Sequence, residues 1–346
     1  SASVHVDPNR IPIVVPGDFA MPPGGLNIRW PDPWGEQEYR LQRHKLYAAL
    51  AFARANKLDR IVIDSPRPRF GIVTTGKSYL DVRQALDDLG IDEDHAAEIG
   101  IRVYKVAMSW PLEREGARHF AEGLEEVLVV EEKRAIIENQ FKEQLYNWRE
   151  DVRPRVIGKF DEKGEWILPS ADELSPAMIA RVIAKRIGRF YTSPRIEERL
   201  AFLEAKAREG TAGRAAFKRV PYFCSGCPHN TSTKVPDGSR AMAGIGCHFM
   251  ALWMDRSTAT FTHMGAEGAT WIGQAPFTET SHVFQNLGDG TYFHSGSLAI
   301  RAAVASGANI TYKILYNDAV AMTGGQPVDG SLSVPQMTRQ LANEGV

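Results

Sequence analysis

The stretch SHVFQNLGDGTYFHSGSLAIRAAVASGANITYKILYN, Ser281–Asn317, decides the fold of the C-terminal part of the chain. Its pattern predicts an apolar strand at Ser281–Phe284, a Gly-Asp-Gly turn at 288–290, a helix at Ser295–Ala305 and a second strand at Ile310–Tyr316. A strand, a helix and a strand in this order predict two parallel neighbours joined by a crossover helix.

Two side chains that carry oxygen follow these strands. Asp289 ends the first strand, and Asn317 ends the second, 28 residues later. Adjacent strand ends of a doubly wound sheet face one crevice, where ligands bind, and oxygen ligands suit Mg²⁺ with a diphosphate in its shell. The turn Thr323–Gln326 (TGGQ) adds backbone N–H groups that can approach phosphate oxygens. The alternative is that these are ordinary loop residues at strand ends, without a cofactor.

Strands and helices also alternate earlier in the chain. The predicted strands are Arg60–Asp64, Phe70–Thr74, Arg102–Val106 and Glu126–Val130, and the predicted helices between them include Ser78–Leu89 and Glu113–Glu122. This order indicates a Rossmann-like, parallel-sheet α/β domain over residues 57–150. Residues 1–56 read as an irregular lead-in and a helix, 151–218 as a charged helical linker, and 219–346 as a second α/β domain that carries the chemistry.

Composition narrows the class of protein. With 41 Lys and Arg against 42 Asp and Glu, the net charge of -1 gives no sign of a nucleic-acid surface. No apolar run reaches the roughly 20 residues that a membrane helix needs, and no signal-peptide pattern opens the chain. We therefore expect a cytoplasmic protein with no membrane or nucleic-acid partner. Because the chain starts without Met and stops at RQLANEGV, within a helical pattern, we also expect a fragment of a longer protein.

The three cysteines leave several interpretations open. They are too few for a disulfide framework. Zinc could take Cys224, Cys227 and Cys247, with His229 or His248 as a fourth ligand, in a zinc-stabilised interaction module. Iron–sulfur ligation, a redox Cys-x-x-Cys pair and unligated thiols are the other readings.

A second motif suggests nucleotide binding. GIVTTGKS, Gly71–Ser78, matches the phosphate loop G-x-x-x-x-G-K-[ST], which makes a P-loop nucleotide-binding protein an alternative function. Residues 72–75 are all β-branched, however, and such residues favour a strand over a loop that curls around phosphates. We expect the strand to continue to a turn at Gly76, with a helix beginning at Lys77.

Five segments, taken in order, closely resemble the 2-oxoacid:ferredoxin oxidoreductases. They are CSGCPHNTST (224–233), GIGCH (244–248), MGAEGATWIGQAPF (264–277), GDGTYFHSG (288–296) and YNDAVAMTGGQPVDG (316–330). The pattern is most similar to indolepyruvate ferredoxin oxidoreductase in its fused-chain bacterial form, as is the segment 60–92. The resemblance covers nearly the whole chain. It implies that residues 57–150 are similar to the transketolase C-terminal domain, and that 219–346 form the diphosphate-binding domain of thiamine diphosphate enzymes, truncated at its C-terminus.

The resemblance also implies the cofactors thiamine diphosphate, Mg²⁺ and a [4Fe–4S] cluster. It assigns Mg²⁺ to Asp289, Asn317 and the Ala319 carbonyl. It assigns the cluster to Cys224, Cys227 and Cys247, with a fourth ligand beyond residue 346. The other residues implied to bind the cofactor are Gly288, Gly290, Thr291, Thr323, Gly324, Gly325 and Gln326.

The activity implied by the resemblance is oxidative decarboxylation of an aryl 2-oxoacid such as indolepyruvate. Coenzyme A would accept the acyl group and ferredoxin the electrons, in a homo-oligomeric oxidoreductase. The carboxylate that activates the cofactor belongs, in the family, to a separate pyrimidine-binding domain that precedes this segment. No catalytic residue is therefore assigned, and the fragment alone is expected to be inactive.

Overall fold

The structure is a computed structural model that describes residues 6–212 and 220–346, with only the backbone of 209–212. The chain divides into two units, residues 1–214 and 215–346. Both are built on sheets of parallel strands with helices, so the predicted α/β fold class is confirmed. The predicted boundary at 218/219 lies outside the described residues. Among the helices that are described, none is both long and apolar enough to cross a membrane.

The first unit contains a five-stranded sheet in the order β1-β3-β2-β4-β5. Its strands are β1 (Arg60–Ile63), β2 (Phe70–Thr75), β3 (Ile101–Val106), β4 (Glu126–Val130) and β5 (Arg155–Ile157). All neighbours pair in parallel except β1, which runs antiparallel to β3 at the edge. This edge departs from the all-parallel sheet expected from the sequence. Only residues 64–69 separate β1 from β2, whereas a parallel crossover needs about a dozen residues.

Helices cover both faces of this sheet. They are α1 (Trp34–Arg40), α2 (Leu46–Ala55), α3 (Gly76–Asp88), α4 (Glu93–Ile99), α5 (Arg114–Ala121), α6 (Ile137–Leu145), α7 (Pro176–Ile187) and α8 (Pro194–Ala212), with a π-helical turn at Leu41–Lys45 between the first two. Successive residues of a strand point to opposite faces. Accordingly Ile72 lies in the core that contains α3 and α7, whereas Val73 lies in the core that contains α5 and α6.

The geometry around Lys77 contradicts the P-loop alternative. Residues 71–75, which would have to wrap a phosphate, lie in β2 and pair with both β3 and β4. The helix begins at Gly76, one residue before the predicted start at Lys77, and the Lys77 ammonium is held by carboxylates of its own unit. Its Nζ lies 2.6 Å from Oδ2 of Asp81 and 3.1 Å from Oε1 of Glu173, and donates to the Leu174 carbonyl at 2.9 Å.

Residues 151–196 differ from the charged linker expected from their sequence. They supply β5 to the sheet, and α7 packs against α3 with Ile179, Ile183 and Ile187 fully buried. These three isoleucines recur every four residues and so form one apolar face of the helix. Because this segment contains many charged residues, its sequence led to the prediction of a linker and the apolar face was not recognised. One of them, Arg186, is itself buried, where it donates to the Glu126 carboxylate at the start of β4.

The second unit contains a three-stranded parallel sheet in the order β6-β7-β8. Its strands are β6 (Ala241–Met242), β7 (Val283–Gly288) and β8 (Ile310–Leu315), and its α-helices are α9 (His229–Ser232), α10 (Ala269–Gln274), α11 (Asp289–Thr291), α12 (Ser297–Ser306) and α13 (Val334–Asn343). A 3₁₀ helix forms at Cys247–Trp253, and a π-helical turn, Tyr292–Gly296, joins α11 to α12.

β7 ends later than the sequence predicted, and the helix after it begins earlier. The strand was expected to end at Phe284 because Gln285 and Asn286 are polar, yet both are buried in it. The Gln285 amide donates to the backbone carbonyls of Met242, Ala243 and Asn286, so its burial is compensated. As a result, Asp289 is the first residue of the helical segment.

We expect Ile183→Ala to destabilise the first unit by about 2–5 kcal/mol, because it opens a cavity in the core beneath α7. Met178→Ala on the same helix is the matched control. The Met178 side chain is 40% exposed, and its loss should change the free energy of unfolding by less than about 0.5 kcal/mol. Urea denaturation measures both. Equal, small effects would show that α7 does not belong to this core.

Candidate functional site

The carboxylate of Asp289 joins the ends of β7 and β8. Its Oδ1 accepts the backbone N–H of Gly290 at 2.9 Å. Its Oδ2 accepts the N–H groups of Asn317 at 2.9 Å and Asp318 at 2.6 Å. Only 3% of the residue is exposed, so these three donors replace the water that the charge would otherwise bind. The two strand ends predicted to face one crevice therefore lie together.

The loop after β8 is folded by its own hydrogen bonds. Oδ1 of Asn317 accepts the N–H of Ala319 at 3.2 Å. The Gln326 amide donates to the Thr323 carbonyl at 2.8 Å and accepts from the Thr323 hydroxyl at 2.9 Å. Gly324 and Gly325, with φ of 125° and 76°, allow the chain to turn back between them.

A cavity of ≈ 420 Å³ opens at this edge of the sheet. Most of the predicted cofactor residues line it, namely Gly288, Asp289, Gly290, Thr291, Asn317, Ala319 and Thr323. Gly324, Gly325 and Gln326 belong to the same loop but do not line the cavity. Asp329, which is not among the predicted site residues, also lies in the wall, within the segment YNDAVAMTGGQPVDG.

Two histidines that the sequence offered as zinc ligands line the cavity instead. The rings of His229 and His248 meet edge to face, with centroids 5.8 Å apart. Burial lowers the pKa of His248 to about 4, and His229 adds to that shift. Burial also lowers the pKa of His229, although the Asp289 carboxylate opposes the change. Both imidazoles are therefore neutral at pH 7.

The cysteines lie near one another but do not form a metal site as placed. Cys224 is exposed, Cys227 and Cys247 are half-buried, and only Cys247 lines the cavity. The pKa of Cys247 is raised by burial and, to a smaller extent, by the neighbouring Cys227 and Cys224 thiols. Within residues 6–212 and 220–346, no three His, Cys, Asp or Glu side chains are grouped so that they could hold a metal ion. This arrangement fits neither a cluster nor the predicted zinc site.

The oxygen groups beside Asp289 do fit a magnesium ion. An ionised carboxylate offers about four acceptor positions, of which the three backbone donors use three. The amide oxygen of Asn317, which has accepted a single hydrogen bond, and the carbonyl of Ala319 lie in the same wall. Carboxylate, amide and carbonyl oxygens are the ligands that Mg²⁺ prefers.

Two family models match the chain, one in each unit. The indolepyruvate ferredoxin oxidoreductase middle domain matches residues 59–212. The C-terminal TPP-binding domain of thiamine pyrophosphate enzymes matches residues 244–343. The chain resembles the 2-oxoacid:ferredoxin oxidoreductases over these residues. The resemblance read from the sequence is thus confirmed.

Curated members of this family are similar to most of the chain. The indolepyruvate oxidoreductase subunit IorA of Thermococcus kodakarensis is 26% identical over 298 residues, which are 80% of this chain and 43% of that protein. IorA of Methanothermobacter marburgensis is 27% identical over 318 residues, 85% of this chain and 46% of that protein. The chain thus spans less than half the length of these relatives.

A solved 2-oxoglutarate:ferredoxin oxidoreductase from Magnetococcus marinus is also similar, at 16% identity and a TM-score of 0.30. The match covers 45% of this chain and 24% of that one. A similarity of this size adds nothing to the fold and site described above.

We expect Asp289→Ala to loosen the turn after β8. Hydrogen bonds to a charged acceptor contribute about 1.5–3 kcal/mol each, so the amides of Asn317 and Asp318 should exchange with solvent deuterium at least about tenfold faster. Amides within α12 serve as the internal control and should be unchanged. Unchanged exchange at Asn317 and Asp318 would show that Asp289 does not hold the turn.

Proposed function

We propose that the chain forms the thiamine diphosphate site of an enzyme that oxidatively decarboxylates an aryl 2-oxoacid such as indolepyruvate, forming an acyl-CoA and passing electrons to ferredoxin. The proposal for the second unit is that residues 219–346 hold Mg²⁺ and the diphosphate. The first unit would be the middle domain of the same enzyme. The enzyme would be a cytoplasmic homo-oligomer.

One observation carries the proposal: the charge of the cavity wall. Asp289 and Asp329 are carboxylates, and none of the described residues that line the cavity is Lys or Arg. The two buried histidines are neutral and add no positive charge. A negatively charged wall repels a free diphosphate. The same wall can bind a diphosphate that is complexed with a divalent cation. A family domain that binds thiamine diphosphate therefore needs Mg²⁺ here.

The residues of the chain would have separate tasks. Asp289, Asn317 and the Ala319 carbonyl would hold Mg²⁺. Gly290 and Thr291 would lie along the diphosphate, with the Thr291 N–H as the backbone donor, because the Gly290 N–H already donates to Asp289. When bound, thiamine diphosphate supplies the stabilisation of negative charge that decarboxylation of a 2-oxoacid requires. The role of the protein is to hold the cofactor in a fixed position.

The apolar residues of the cavity wall support the proposal that the substrate carries an aryl group. Large apolar side chains line the cavity, among them Met264, Phe293, Met322 and Val328. Aromatic and thioether side chains pack well against a planar ring. Transfer of the acyl group to coenzyme A and of electrons to ferredoxin is proposed from membership of the family alone.

Asp289→Asn should weaken the binding of thiamine diphosphate in the presence of Mg²⁺ at least about tenfold, or 1.4 kcal/mol, in the enzyme that contains this chain. The substitution keeps the shape of the side chain and removes the negative charge that faces the metal ion. Isothermal titration calorimetry measures the affinity, and removal of Mg²⁺ with EDTA should abolish binding in the unaltered enzyme.

Lys77→Ala is the control for this experiment. Lys77 belongs to the other unit and is engaged with Asp81, Glu173 and the Leu174 carbonyl, so the affinity should not change. If Asp289→Asn bound the cofactor as tightly as the unaltered enzyme, the Mg²⁺ assignment would be wrong.

The iron–sulfur cluster is proposed only for the enzyme that contains this chain. Its support is the resemblance of the segments that carry the three cysteines to the family, together with the preference of such clusters for thiolate ligands. Because the described residues do not bring three ligands together, no electron-transfer step is derived through them.

Enzyme purified without oxygen should be brown, and Cys224→Ala should remove about one cluster of iron. Ser225→Ala, in the same motif, should leave the iron content unchanged. Elemental analysis also tests the zinc-stabilised module, because stoichiometric zinc without iron would favour that alternative and end the cluster proposal.

A further inference from the structure

The imidazole of His248 is enclosed by the backbone of three glycines. Only 2% of the residue is exposed, and its Nε2 has no hydrogen-bond partner among the described residues. A Cβ on Gly244 would lie 2.8 Å from Nε2, and a Cβ on Gly246 would lie 2.8 Å from Cε1. Any larger residue at those positions would overlap the ring. The loop that carries Cys247 therefore fits closely around this side chain.

The Cε1 edge of the ring also faces the end of β7. A Cβ on Gly288 would lie 3.2 Å from Cε1 of His248. The next residue is Asp289, whose carboxylate joins β7 to β8. His248 thus lies close to both the cysteine loop and the strand end that presents Asp289.

The loop itself is anchored independently of the ring. Glu267 is fully buried, and its carboxylate accepts the N–H of Gly265 at 2.7 Å and that of Ile245 at 3.5 Å. The N–H of Ala243 donates to the Thr260 carbonyl at 3.0 Å. Because the loop is fixed, the ring cannot move away from Gly288 without displacing backbone that is hydrogen-bonded elsewhere.

We propose that His248 is a positioning residue of the cofactor site: its ring is a rigid spacer that sets where the β7 end places Asp289. This inference rests on the proposed function of Asp289 as a Mg²⁺ ligand. It assigns to the first glycine of the Gly-Asp-Gly turn a specific task, which is to leave room for the imidazole. It also makes the geometry of the metal ligand depend on the loop that carries Cys247.

Gly288 is the best position at which to test the contact. Its φ of -76° and ψ of 151° are extended backbone that alanine adopts without strain. Apart from the ring, its Cβ would meet only the Ile245 carbonyl, at 3.6 Å. Gly244 is unsuitable because its Cβ would lie 2.2 Å from the Asn286 carbonyl, and Gly246 because its φ is 147°.

The experiment is a double-mutant cycle on the Mg²⁺-dependent affinity for thiamine diphosphate, measured by calorimetry in the enzyme that contains this chain. Gly288→Ala should weaken binding about tenfold, because the new methyl group presses on a ring that cannot yield. In the His248→Ala background the same change should weaken binding by less than about threefold, since the obstacle is gone. This rescue distinguishes positioning from a general loss of stability, which thermal unfolding of each variant monitors.

His282→Ala is the control histidine, because His282 bonds Thr311 and does not line the cavity. It should leave both the affinity and the effect of Gly288→Ala unchanged. Should His248→Ala fail to fold, His248→Asn, which also removes the Cε1 contact, replaces it. Failure of both to fold would overturn the inference, since the ring would then be a requirement of folding.

The Asp289→Asn variant separates this inference from the proposed function. If Asp289→Asn leaves the affinity unchanged, the proposed function fails. If Asp289→Asn weakens binding while Gly288→Ala costs the same in both backgrounds, the metal site stands and the spacer role of His248 is wrong.

Discussion

The second unit depends on one buried charge, the carboxylate of Asp289. A buried carboxylate is costly unless its lone pairs are satisfied, and here three backbone N–H groups from two strand ends satisfy them. The same hydrogen bonds close the turn after β8. The turn therefore depends on the Asp289 carboxylate, and the buried carboxylate depends on the N–H groups of the turn. The residue that holds this turn thus also lines the cavity and has one acceptor position left.

The first unit uses charge differently. Arg186 is buried beside Glu126 and Glu162, and this ion pair ties α7 to the start of β4. Two buried ions are tolerated because each is hydrogen-bonded to the other, although such pairs add little net stability. Apolar contacts of Ile179 and Ile183 on the same helix supply the packing. Charge along a helix therefore does not by itself indicate a solvated linker.

The sequence predicted the fold class and the family resemblance, and it predicted the start of the helix after β2 to within one residue. These predictions depend on local patterns, such as runs of β-branched residues and the spacing between Asp289 and Asn317. Such patterns can be recognised without knowledge of tertiary contacts. The end of β7 was missed because Gln285 and Asn286 are polar, and only the pairing with β6 reveals why Gln285 is buried. The surroundings of His248 could not be predicted either. They require three glycines from two segments more than 40 residues apart to meet around one ring.

The two neutral histidines, His229 and His248, add no positive charge to the cavity. If either carried a proton at pH 7, it would place a positive charge beside Asp289 and compete with a divalent cation for that carboxylate. Burial prevents this, since desolvation disfavours the charged imidazole in both residues. The charge of Asp289 is therefore not neutralised by these two histidines, which suits the proposed metal ion. The packing that holds the His248 ring in place also excludes water from it. Exclusion of water keeps the imidazole uncharged, so the same packing determines both the position and the charge of this residue in the proposed site.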